Sequence, residues 1–451
     1  MSDLLRLAED VVGRAQRGEE VEAYVARGQD LEVRAYDGEV ESLASATTSG
    51  IGIRVLLTDA GDGGRLGFAW AGSLDEDVVA ATLTEARDNA TFATPDSDVV
   101  FAEPDGVAAA TLDLWDPATA GTPTERKVAM ALELERLVRS HPQVRQVDSA
   151  DYGDERVEVA LASTTGIRAT NRRTGSFISV SAIVGEGSDT HTGTGFSVAR
   201  SPEGLDLDAA AADAILRSTR LLGATKAASA RLTVVFDPRV VSTLLGVISS
   251  ALSGEAVVKG RSFFADRVGE EVAVATVTLV DDPTDPRAFA ATAYDGEGLA
   301  CRRNVLIEEG VLRGFLYDTV SARRAGTAST GSAVRGGFAG TPGAGCRALT
   351  LRPGELDQKE ILARVGAGVY VQSVTGVHSG VNPVSGDFSV GIEGLMIRDG
   401  GLAEPVREVT VASTLQRMLL SVVHIGGDVE WLPGIAAGQT LAVADMQLSG
   451  S

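Results

Sequence analysis

Apolar residues recur along this chain with two periods, and the alternation between them predicts its elements. Over residues 3–17, Leu4, Leu5, Leu7, Val11 and Val12 fall at helical spacing, which predicts an amphipathic helix. Val21 to Tyr36 reads as extended chain ending in the hairpin pair Asp37-Gly38. Gly50 to Leu57 is rich in β-branched residues and predicts a strand; residues 61–64 form a loop, and Leu66 to Trp70 returns. Ser73 with Glu76 has the form of a capping box for a helix running to about Ala90. Residues 93–122 lose periodicity and contain Pro95, Pro104 and Pro117, which predicts a crossing linker. A helix over 124–140, strands over 144–152, 155–162, 166–173 and 176–186, and a helix over 206–222 follow. A helix–strands–helix block thus occurs twice, without a repeat in the sequence itself.

From about Ser229 the texture changes. Arg231 to Phe236 predicts a strand, and Val240 to Leu252 is long and apolar enough for a buried helix. Strand-like runs then dominate, at 272–280, 303–309, 311–317, 347–351, 369–375, 388–397 and 405–411, interrupted by helices over 317–325 and 355–366. The pattern predicts an α+β protein: an N-terminal α/β region with a mixed sheet and long helices, then a large antiparallel sheet or open β-barrel-like domain. The boundaries read as 1–110, 111–225 and 226–451.

Composition narrows the functional classes. The chain has 451 residues and a formal charge of −22, with no block of basic residues, so a nucleic-acid-binding role through phosphate contacts is disfavoured. No stretch approaches the ~18 apolar residues of a membrane span. The acidic N-terminal segment lacks the form of a signal peptide, and Cys301 and Cys346 are the only two cysteines. These features predict a cytoplasmic protein without a disulfide framework.

The search for chemistry returns little. His141, His191, His378 and His424 are scattered, and no His-Glu-x-x-His, nucleophile elbow or phosphate loop is present. Cys301 and Cys346 lack metal-ligand spacing and read as small core or surface residues. The most unusual run is Gly376 to Ser389, in which His378, Asn382, Asp387 and Ser389 stand among glycines ahead of an apolar strand. Such a loop can present a backbone edge to a ligand. Its structural reading is a turn in which Asn382 and Asp387 satisfy local backbone.

At this run the chain resembles the TldD/PmbA family, and within it the PmbA (TldE)-like branch. The likeness spans nearly the whole chain. It includes Asp37 to Leu43 with Gly50 to Val55, Ser163 to Ala169, Ser253 to Val257, Lys259 to Phe263 and Leu279 to Pro283. Asp295 to Gly298, Gly314 to Asp318, Ser329 to Ala333 and Pro405 to Thr410 extend it. Order and spacing together carry the resemblance, since no single block is decisive.

The resemblance implies a two-protein zinc peptidase acting on unstructured peptides, in which a TldD-like partner holds zinc on a His-Glu-x-x-x-His helix and a later cysteine. Alignment through Leu252 to Glu255 places that motif on residues 245–250. Leu245 and Ser250 then stand for the histidines and Gly246 for the glutamate, and no cysteine follows 346. Leucine and glycine offer no ligand atom and serine is a poor one. The expectation is a subunit without catalytic residues, metal or cofactor of its own, with zinc in the partner. The 378–389 loop and the 245–255 helix are expected to face that zinc. Two other readings stay open: a homodimeric peptide-binding or regulatory protein of gyrase-modulator type, and a self-sufficient hydrolase.

Overall fold

The computed structural model describes residues 3–58 and 63–450. Met1, Ser2 and part of the expected 61–64 loop lie outside the described residues.

The first half is built on six strands: β1 (Glu19–Tyr36), β2 (Glu39–Leu57), β3 (Arg65–Ala71), β4 (Val144–Ser163), β5 (Arg168–Val184) and β6 (His191–Ala199). They form one sheet in the order β3-β2-β1-β4-β5-β6, antiparallel at every pair. The two helix–strands–helix blocks meet where β1 pairs with β4, from Glu22 opposite Ser163 to Ala35 opposite Ala150. Four long helices, Asp3–Val12, Glu76–Phe92, Thr124–Arg139 and Leu207–Thr219, cover one face.

The period of two in β1 decides what each face does. Val21, Ala23, Val25, Val33 and Ala35 point to the helices and are buried. Glu22 and Tyr24 point the other way, towards the C-terminal half. Close approach of helix and strand is made possible by missing side chains. A Cβ on Gly195 of β6 would lie 1.9 Å from the Ala210 carbonyl oxygen, and one on Gly67 of β3 would lie 2.0 Å from that of Ala86.

Several sequence expectations are corrected here. The runs 144–152 and 155–162 are one strand, because Gly153 is paired on both sides and the Phe177 ring fills the space beside it. The runs 166–173 and 176–186 merge into β5, with Thr174 and Gly175 paired to Arg156 and Glu155 of β4, and β6 is a further strand that the pattern does not predict. The first helix stops at Val12 rather than residue 17. The second begins at Glu76 behind Asp75; Ser73 caps nothing and instead donates from Oγ to the Asp75 carboxylate at 2.8 Å. The 93–122 linker holds a short helix, Ala118–Gly121, and is otherwise irregular, with Phe101, Ala102 and Leu114 buried.

In the second half, strands Ala230–Phe236, Gly368–Thr375, Asp387–Arg398, Gly401–Thr414 and Leu441–Ser449 close a five-stranded barrel. The mixed pairing expected earlier in the chain occurs here: 230–236 runs parallel to 368–375, and the remaining barrel pairs are antiparallel. The α+β class holds, with a closed barrel beside an antiparallel sheet. Of the expected strands 272–280 and 311–317, only Leu279–Asp281 and Val311–Leu312 form. Elsewhere in these runs Leu316 makes a single bridge to Ser253, and the Val272 and Ala273 amides donate to the Gly310 carbonyl. The helix expected over 355–366 spans Gln358–Val365, with a full Asp357/Glu360 capping box and Gly366 at φ 70° as its stop.

Candidate functional site

The helix expected over 240–252 spans Pro238–Ala251 and lies against the barrel. Asp237 caps it, accepting the Arg239 amide at 3.0 Å. The same carboxylate accepts Arg217 Nη2 at 2.8 Å and the Tyr370 hydroxyl, while Arg239 reaches Asp213. Arg217 and Asp213 belong to the 207–219 helix of the first half, so a largely buried charged network fixes this helix across the two halves. Nothing in the local sequence marks these partners.

Leu245 is 3% exposed and lines a small apolar cavity with Val241, Leu244, Ile248, Met418 and Leu441. Ser250 is exposed, and a side chain added at Gly246 would meet nothing within 4 Å. The three motif positions therefore do not converge on one point. Among the described residues no group of three or more His, Cys, Asp or Glu is placed to hold a metal ion. Cys346 sits in the core beside Ser249, and burial pushes its thiol well above the ordinary range. Cys301 is likewise buried, with its thiol pushed up by burial. These residues do not fit zinc, which binds thiolate, imidazole or carboxylate.

The 376–389 loop is a hydrogen-bonded turn. The Asn382 side chain accepts the amides of Val384 at 2.9 Å and Ser385 at 3.2 Å. The Asn382 amide donates to the Asp387 carbonyl at 2.9 Å. Ser385 Oγ donates to the Asp387 carboxylate at 2.7 Å. His378, Asn382, Asp387 and Ser389 are all exposed, while Val381 and Phe388 anchor the loop in the barrel core. The Asn382 contacts are those of a structural turn, and the exposed side chains leave the loop's outer face open.

The densest buried charge lies elsewhere, at the seam between the halves. Glu22 accepts Arg54 Nε at 2.8 Å, Arg54 Nη2 at 2.5 Å and Arg335 Nη2 at 2.5 Å. Burial works to raise the Glu22 pKa, but Arg335 and Arg54 outweigh it and hold the carboxyl at about 2. Glu297 is fully buried and accepts Thr319 N at 2.9 Å; burial, together with Asp295 and Asp318, pushes it up to about 7 against the pull of Arg54. Asp281 is pushed up to about 6 by burial, although it accepts the amides of Arg347 and Ala348. Asp295 accepts the amides of Glu297, Leu299 and Ala333. Four blocks on which the resemblance rested, those holding Asp281, Asp295, Asp318 and Ala333, thus assemble at one place. Their spacing of tens of residues hid this from the sequence.

A closed barrel carrying a buried helix, set across an antiparallel sheet and tied to it by buried ion pairs, defines the class. Domain models of the PmbA/TldA metallopeptidases match three stretches: domain 1 over 21–90, the central domain over 119–222 and the C-terminal domain over 229–450. The chain belongs to the PmbA/TldD family. It is 25% identical to the metalloprotease PmbA of Escherichia coli over 432 residues, 95% of this chain and 92% of that one. A PmbA homologue of Haemophilus influenzae is 24% identical over 96% of this chain and 93% of its own. The fold is shared with TldE of Thermococcus kodakarensis at a TM-score of 0.88 and 22% identity, covering 99% of each chain. It is shared too with a Thermotoga maritima protein described as a proposed modulator of DNA gyrase, at 0.89 and 23%, covering 98% of this chain and 99% of that one. No helix among the described residues is long and apolar enough to cross a membrane.

Proposed function

We propose that this chain is the non-metal subunit of a two-protein zinc peptidase of the PmbA/TldD type, acting in the cytoplasm on unstructured peptides or peptide precursors. The observation that carries the reading is Leu245: where the resemblance places the first zinc ligand, an apolar side chain faces an apolar cavity. Zinc, held by a TldD-like partner, supplies the polarised carbonyl and activated water. This chain's own residues then bind and align the peptide. Residues 39–49 of β2 pair with β1 on one side and, among the described residues, with no strand on the other, since β3 ends at Ala71, opposite Ile51. Such an edge suits an added strand held by main-chain hydrogen bonds, which tolerates many sequences. The exposed face of the 378–389 loop is placed towards the partner in this reading.

Reconstitution with a His-Glu-x-x-x-His-bearing homologue tests it. Peptide cleavage and zinc are expected with the pair and not with this chain alone. His378→Ala and Asp387→Ala are expected to lower turnover or assembly; unchanged values for both would remove the loop from the proposal. A stable homodimer that neither joins such a partner nor supports cleavage would favour a regulatory, gyrase-modulator type of role instead. Cleavage by the zinc-free chain alone would favour a self-sufficient hydrolase.

A further inference from the structure

Between the sheet and the C-terminal half lies a cavity of about 410 Å³. Arg172, Arg173, Arg335 and Arg347 line it, and Asp295 is the one acid among its lining residues. In a chain of formal charge −22 this is a local excess of arginine, with Arg173 paired to Glu155 at 3.1 Å and Arg335 to Glu22, and with Arg172 and Arg347 in no ion pair with an acid within 4 Å among the described residues. Asp295 does not neutralise it by hydrogen bonding, because both its oxygens are taken by backbone amides.

Arg335 is the central group. Its side chain is 1% exposed and its guanidinium lies over the Tyr24 ring at 4.7 Å. Nη2 donates to Glu22, but Nε and Nη1 have no hydrogen-bond partner. Glu22 is shared with Arg54, so one carboxylate serves two guanidiniums in direct contact, while Asp281 and Asp295 lie close enough to Arg347 to interact with its charge. Arg347 Nε is also buried without a partner. Buried donors are nearly always satisfied, and three unsatisfied ones on two arginines that line one cavity leave these guanidiniums with hydrogen-bonding capacity to spare.

The sheet contributes Val157, Val159 and Leu161 of β4, with Leu114 beside them and with Asn171 and Arg173 of β5 as register partners of Val159 and Val157. Gly336 and Gly337 complete the lining, and a Cβ on either would meet nothing within 4 Å. A second cavity of about 390 Å³ shares Leu114, Val159, Asn171, Arg172 and Tyr294 with the first, so the space continues past the 110–114 segment.

We propose that this cavity binds an organic carboxylate carried on a short apolar body, the carboxylate held by Arg335 and Arg347 and the body against Val157, Val159 and Leu161. A free small acid and the C-terminus of a peptide share this chemistry. The proposal does not rest on the zinc partner, since the site lies within this chain.

Titration of the full chain, followed by calorimetry and by the fluorescence of Trp115, which lies beneath Arg172 at 5.4 Å, tests it. The probes are N-acetyl-leucine, an acetylated leucine dipeptide, and the C-terminal amide of each. Saturable binding of a carboxylate, about tenfold or more tighter than its amide, is expected. Arg347→Met is expected to weaken the carboxylate by about tenfold and leave the amide unchanged. Arg335→Lys, which keeps a cation against Glu22, is a second variant expected to weaken the carboxylate by about tenfold should Arg347→Met fail to fold, and full affinity in it overturns the proposal. Binding of the dipeptide acid alone supports a peptide terminus, and binding of both acids supports a free acid as well. Equal affinity for acid and amide, or full affinity in Arg347→Met, overturns the proposal.

Discussion

Arg335 donates from Nη2 to Oε1 of Glu22 at 2.5 Å across 313 residues of chain, and both side chains are 1% exposed. This contact joins the first strand of the sheet to the C-terminal half with both side chains buried. Removing one partner of such a pair leaves the other charge buried and uncompensated.

Glu22→Ala is accordingly expected to cost about 3–5 kcal/mol, measured by denaturant unfolding at neutral pH. The wild type carries a linked pH dependence. The folded pKa is depressed from 4.5 to about 2, so this stabilisation is present above 4.5 and is lost as pH falls through about 2. It amounts to about 3 kcal/mol, and Glu22→Gln should flatten that part of the profile. A Gln variant with an unchanged acid limb would contradict the assignment.

Glu297 behaves in the opposite sense. Its folded pKa is raised from 4.5 to about 7, so its contribution is fully present below 4.5 and is lost as pH rises through about 7. Glu297→Gln is expected to unfold much like the wild type near pH 4 and to be more stable at pH 8 by up to about 3 kcal/mol. Thermal unfolding at the two pH values decides; a variant less stable at pH 8 would mean that the ionised carboxylate is needed.

Restoring the letters of the zinc motif should not restore the site. In the triple variant Leu245→His, Gly246→Glu, Ser250→His, residue 245 still faces the apolar cavity and residue 250 still faces solvent. Metal analysis after dialysis is expected to find less than stoichiometric zinc. Leu245→His alone should destabilise by about 2–4 kcal/mol, through lost packing and a buried polar ring.

Asn382→Ala removes the acceptor of two backbone amides, those of Val384 and Ser385. The expected cost is about 1–2 kcal/mol, with faster hydrogen exchange at those two amides. His378→Ala, at an exposed position, is expected to leave stability within about 0.5 kcal/mol. Equal protection of the Val384 and Ser385 amides in both variants would contradict the turn.

Much of the fold was legible before the structure. The helices over 124–139, 207–219, 238–251 and 358–365 fall near the ranges their apolar spacing predicts. Their signals are local: a stripe, an Asp cap at Asp206 or Asp357, a glycine stop at Gly366. Strand limits were less legible. Gly153 and Gly175 look like breaks, yet Gly153 is paired on both sides and Gly175 with Glu155 of β4, and each packs against an aromatic ring, Phe177 and Phe289. The candidate loop was legible as unusual, but which of its side chains turn inward was not.

By itself the sequence determined the order of elements, the apolar faces of the long helices, the absence of ligand atoms at Leu245 and Gly246, and the family likeness. All of these depend on residue identity and short-range period. The tertiary structure alone decided that Glu22, Arg54, Asp295, Glu297 and Arg335 share one buried seam and that four arginines line one cavity. A charged residue reads as solvated surface until the chain folds. Only the β1–β2 pairing, which sets Glu22 opposite Arg54, and the seating of the 295–335 segment against the sheet bring these groups out of water and against one another, where their charges gain strength.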